Sequence, residues 1–146
     1  MSSNEARISI QELAIYMSQL EDYIRKLQDR ISAVAAEIEE VRLSRRTLEE
    51  LSSLKPESEA FIALDRRGHV FTMCILTKPQ TVITHIGTDY YAELPVDKAV
   101  SILLSKERDL TLSLQALQAE LRKAAKIYED VQNKLASLAA QKRKSS

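Results

Sequence analysis

The sequence predicts an α+β protein in which two long helices form an antiparallel coiled coil and two β-hairpins occupy the middle of the chain. Three observations predict it. Every Gly and Pro of the 146 residues (Pro56, Gly68, Pro79, Gly87 and Pro95) falls in one central stretch. The arms on either side carry apolar residues at a strict 4-3 spacing. The stretch between them is rich in strand formers and holds both Phe, both His and the single Cys. Gly and Pro are the strongest punctuators of local structure, so turns crowd the middle while the arms run uninterrupted.

Composition narrows the function classes. Lys+Arg and Asp+Glu are equal at 21 each. A nucleic-acid binder held by phosphate neutralisation needs a basic surplus, so no nucleic-acid partner is expected. The charges are interleaved, as on the solvated faces of long helices. Trp is absent and aromatics are few, which argues against a large globular core. One Cys excludes an internal disulfide framework and suits a reducing cytosol. The start, Met1-Ser-Ser-Asn-Glu-Ala-Arg7, lacks a basic-then-apolar signal pattern. No apolar run approaches the roughly 20 residues that span a bilayer. A soluble, cytoplasmic protein without a membrane partner is the expectation.

The first helix is expected over residues 8–53. One seam track is Leu13, Leu20, Leu27, Val34, Val41 and Leu48; the other is Met17, Ile24, Ile31 and Ile38, continued by Arg45 and Ser52. A repeat held for about five heptads exceeds the three or four that mark a coiled coil. Pro56 disfavours helical geometry at Lys55 and stops the arm.

Residues 57–94 read as two hairpins. Phe61–Leu64 and Val70–Leu76 flank the turn Asp65-Arg-Arg-Gly68, and Thr81–Ile86 and Tyr90–Leu94 flank Gly87-Thr-Asp89. Lone hairpins are marginal in water. These carry Phe61, Ile62, Leu64, Val70, Phe71, Met73, Ile75, Leu76, Val82, Ile83 and Ile86, too much apolar surface for so small a sheet. Burial against other subunits is the economical solution, so the insert is expected to be an oligomerisation module.

The second helix is expected over residues 95–143, with Pro95 in the first turn and Asp97 near the positive end of the dipole. Its seam is Leu103, Leu110, Leu117, Ala124, Val131 and Leu138 with Glu107, Leu114, Leu121, Tyr128 and Leu135. Setting Leu48 opposite Leu103 pairs Val34 with Leu117, Ile31 with Leu121, Leu27 with Ala124 and Leu13 with Leu138. The same register sets Arg45, the one charge on the first seam, against Glu107, the one charge on the second. A single polar pair is a known device for fixing register. At the free ends, Ile8, Ile10 and Ile15, beside Tyr16 and Tyr23, leave apolar side chains that two helices alone do not bury. Such clusters either fray or mark a contact surface.

At Ile86-Gly87-Thr-Asp-Tyr90-Tyr91-Ala-Glu93, followed by Asp97 and Ala99, the chain resembles the alpha class of prefoldin subunits, archaeal type. The resemblance covers nearly the whole chain, and two hairpins rather than one point to the alpha class. It implies hairpins that assemble into an intersubunit β-barrel. It implies two alpha with four beta subunits, coil tips that bind non-native polypeptides, and transfer to a group II chaperonin without ATP. Carried over by position, Ile8, Ile10, Leu13, Ile15, Met17, Leu135 and Leu138 would contact clients. Phe61, Ile62, Leu64, Val70, Phe71, Met73, Ile75, Val82, Ile83, Ile86, Tyr90 and Tyr91 would build the oligomer. Arg7, Glu12, Lys142, Arg143 and Lys144 would keep the tips soluble. A self-assembling, gamma-type prefoldin and a plain coiled-coil scaffold stay open as alternatives.

No enzyme is expected. His69 and His85 lie in different hairpins without a Ser, Cys or carboxylate at motif spacing. With Cys74 they lack recognised metal-ligand spacing, so neither metal nor cofactor is expected. The two Gly lie too far apart for a phosphate loop.

Overall fold

The computed structural model describes residues 2–145, with the element order α1 (Ser3–Ser53), β1 (Ser58–Ala63), β2 (Phe71–Leu76), β3 (Thr81–Gly87), β4 (Tyr90–Pro95) and α2 (Val96–Lys144). The chain divides into two compact units. One takes α1 up to Glu37 and α2 from Leu110 onward; the other is Ile38–Asp109 and contains both hairpins.

In the first unit α1 and α2 pair antiparallel. Leu27, Leu117 and Ala124 form the buried centre, with Ile24, Ile31, Val34 and Leu121 against it. These are residues that the 4-3 spacing places on the seam. Two tyrosines, Tyr23 on a flank of α1 and Tyr128 on the seam of α2, tie the helices across. The Tyr23 hydroxyl donates to Glu120, and the Tyr128 hydroxyl donates to Glu21 at 2.8 Å. Each acceptor carboxylate raises the phenol pKa above its ordinary value, chiefly through that hydrogen bond.

The start of α1 differs from expectation. The helix begins at Ser3, before Ile8. Glu5 N–H donates to the Ser2 hydroxyl (3.3 Å), and Ser2 N–H donates back to Glu5 Oε2 (3.1 Å). This reciprocal capping box satisfies two helix-start donors. Ser-x-x-Glu at residues 2–5 was its signal in the sequence.

In the second unit the seam turns polar at one level. Arg42 Nε donates to Glu107 Oε1 at 2.7 Å, and Arg45 Nε faces Glu107 Oε2 at 3.5 Å. The two seam intruders therefore do meet, but the shortest contact to Glu107 comes from Arg42, on the flank. Arg42 also pairs with Glu39 and Arg45 with Glu49 along α1. The hydrogen bond from Arg42 is the main cause of a Glu107 pKa below the ordinary glutamate range. A depressed folded-state pKa supplies stability above the unfolded value, near about 4.3, and that stability fades as pH falls through the folded value. The thermal midpoint is therefore expected to drop on acidification below about pH 4, and Glu107→Gln to flatten part of that drop. An unchanged pH profile in the variant would show that the pair does not contribute.

The hairpins form two separate two-stranded antiparallel ladders, β1–β2 and β3–β4. In the first, Phe61 faces Met73 and Ala63 faces Phe71. Its turn is organised by Asp65, whose carboxylate accepts from the backbone N–H of Arg67 (2.8 Å), His69 (3.1 Å) and Val70 (3.2 Å). Those bonds, His69 foremost, lower the Asp65 pKa. Gly68 sits at φ +72°, and a Cβ there would meet the Phe71 ring at 3.2 Å, so a side chain would be strained and crowded. In the second, the register shifts between His85 and Gly87. His85 Nε2 lies 2.9 Å from Thr88 O, and its ring meets Tyr91 edge-on at 5.2 Å. Pro95 ends β4, paired with Thr81, instead of opening α2. It can sit there because this strand has one bare edge, where a missing N–H costs nothing.

Candidate client and assembly surfaces

Strand alternation sorts each hairpin into two faces. In β1–β2, Ala60 and Cys74 share a half-buried face, while Phe61, Phe71, Met73 and Ile75 stand exposed on the other. Phe61 is 73% exposed. Ile62, on the first of these faces, is itself exposed, as are Leu64 and Val70 beside the turn. In β3–β4, Ile83, Ile86, Tyr90 and Tyr91 are exposed. Val82 differs from the other residues expected to build the oligomer. It is half-buried where Ile83 is 78% exposed, and both, with Leu48 and Leu103 of the helices, line a cleft of about 630 Å³. Val82 shares the less exposed face of the strand with buried Thr84, and alternation puts Ile83 on the more exposed one. Eleven of the twelve expected assembly residues are thus uncovered, on ladders whose outer edges are unpaired among the described residues.

The expected client residues fall into two sets. Ile8 (49% exposed) and Ile15 (61%) lie seven residues apart on the outer side of α1, next to exposed Tyr16 and Tyr23. Ile10, Leu13, Met17, Leu135 and Leu138 are half-buried, because they continue the seam. Seam residues near the open end find partial cover on the partner helix; those on the outer side find none. Leu43, Leu104, Leu112 and Ile127 are also exposed. Reading the sequence by seam tracks passed over them, since they lie off both tracks.

Among the described residues, no group of three or more His, Cys, Asp and Glu is arranged to hold a metal, and no helix is long and apolar enough to cross a membrane.

Comparison with known proteins agrees with this architecture. A prefoldin subunit alpha of Saccharolobus solfataricus is 29% identical over 145 residues, covering 97% of each chain. Another from Metallosphaera sedula is 28% identical over 134 residues, covering 89% of each. Among solved structures, a cryo-EM structure of filamentous PFD from Methanocaldococcus jannaschii superimposes with a TM-score of 0.67 at 19% identity, over 81% of this chain and 96% of that one. The family model for the prefoldin subunit matches residues 20–141, most of both helices and all four strands. The chain belongs to the prefoldin family.

Proposed function

We propose that this chain is an alpha-class subunit of a chaperone that holds non-native proteins without ATP and passes them to a group II chaperonin in the cytoplasm. In this reading residues 8–53 and 95–143 are the two arms of one coil. Residues 57–94 complete a β-barrel with neighbouring subunits, two alpha with four beta. The exposed faces of Phe61, Phe71, Met73 and Ile75, and of Ile83, Ile86, Tyr90 and Tyr91, supply the barrel contacts. Lone two-stranded ladders are marginal, and edge pairing with neighbours removes both the bare edges and the apolar surface. Holding requires no catalytic group and no cofactor.

The observation that carries the client role is the exposure of Ile8 and Ile15 on the outer side of α1, continuous with the half-buried Ile10, Leu13 and Met17. A non-native chain presents apolar segments of varied shape. Several weak apolar sites joined in one particle bind it multivalently, so modest contacts sum to useful avidity. Met17 adds a side chain that adapts to different partners. Replacing Ile8, Ile10 and Ile15 by Ser is expected to weaken suppression of aggregation of a denatured protein by about ten-fold or more, with assembly retained. Undiminished suppression would remove the client role from this end.

A second reading has a specific observation behind it: the solved neighbour is described as filamentous. A chain whose hairpins complete each other would assemble alone. Native mass spectrometry of the chain, without and then with a beta-class subunit, separates the two readings.

A further inference from the structure

We propose that the open end of the first unit selects non-native segments whose apolar residues are flanked by carboxylates. The inference rests on the client role proposed above and adds a preference to it. Ile10, Ala139, Lys142 and Arg143 line a cleft of about 400 Å³. The last turn of α2 carries Lys142, Arg143 and Lys144 in succession. Within 2–19 and 130–145 the cations are Arg7, Lys134 and these three, against the carboxylates Glu5, Glu12 and Asp130. Glu5 is engaged by the Ser2 backbone at the helix start. Neither Lys142 nor Lys144 has a carboxylate within ion-pair range among the described residues.

Cations at a helix C-terminus also offset its dipole, and that accounts for their being in the last turn. It does not account for two of them walling an apolar cleft. An apolar segment laid on Ile10 and Ala139 brings its neighbouring residues within a few ångströms of these ammonium and guanidinium groups. Acidic neighbours are attracted and basic ones repelled. Two or three exposed pairs of this kind amount to about a five-fold preference.

The test uses three synthetic peptides of about 16 residues with one apolar centre and flanks of Glu, Gln or Lys, titrated by fluorescence anisotropy against the full chain at roughly 50 mM and 500 mM salt. The Glu-flanked peptide is expected to bind about five-fold more tightly than the Gln-flanked one at low salt and equally at high salt. Lys142→Gln with Lys144→Gln, which keeps Arg143, is expected to cut the preference to about two-fold while leaving the helical circular dichroism unchanged. Equal binding of the Glu and Gln peptides by the wild type, or a preference undiminished in the double variant, overturns the proposal. Failure of the underlying client role shows separately: the Gln-flanked peptide would then bind no less well to the Ile8, Ile10 and Ile15 to Ser variant. Absence of binding by all three peptides overturns both.

Discussion

Phe61→Asp is expected to abolish assembly while leaving both helices folded. Phe61 is 73% exposed and faces Met73 across the ladder, on the face that also carries Phe71 and Ile75. In the protomer it is mostly exposed, so its loss costs the fold little. In the proposed barrel it is a large aromatic anchor, the kind of residue that dominates interface energetics. An aspartate there would lose that contact and place an unpaired charge in a desolvated contact. A reduction in association on the order of a hundred-fold follows, read by native mass spectrometry or sedimentation. Ile15→Asp, on the outer side of α1, is the matched control and should leave the oligomer intact. Equal oligomer populations in wild type and Phe61→Asp would remove this face from the assembly.

Leu27→Ala should destabilise the first unit by about 3 kcal/mol, lowering the thermal midpoint by roughly 10 °C. Leu27 is only 2% exposed, in contact with the seam residues of both helices. Its truncation opens a cavity between two helices whose register the remaining contacts hold, so the gap closes incompletely. Leu43→Ala is the informative contrast. It is the same substitution on the same helix, but Leu43 is 55% exposed, and the expected change is within about 0.5 kcal/mol. Similar midpoints for the two variants would mean that the seam does not carry the stability of the helix pair.

These two leucines also show how far the chain can be read before it is folded. Leu27 lies on a seam track, and the 4-3 spacing alone placed it at the centre. The partner residues followed from setting Leu48 opposite Leu103, a register that also set Arg45 against Glu107, and Arg45 does face Glu107. The role of Arg42 was not visible, because a flanking arginine looks like any solvated charge until the partner helix brings a carboxylate to it. The early start of α1 was readable in Ser2 and Glu5, yet a search for apolar periodicity passes over a polar cap. At the open end, Ile8 and Ile10 look alike in composition. Only the rotation of the helix separates an outward isoleucine from a half-covered one. Val82 and Ile83 differ for the corresponding reason in a strand: alternation says that they oppose each other, but the helices decide which side is inside.

The two unconnected ladders carry a consequence for how a cell must handle this chain. Among the described residues each ladder has unpaired outer strand edges and an exposed apolar face, which in the proposed assembly neighbouring subunits would cover. Any surplus over the available neighbours would seek other strand edges, its own copies included. If the proposed assembly holds, balanced synthesis of the subunits, or rapid disposal of orphans, would be needed to keep such a chain from clumping itself.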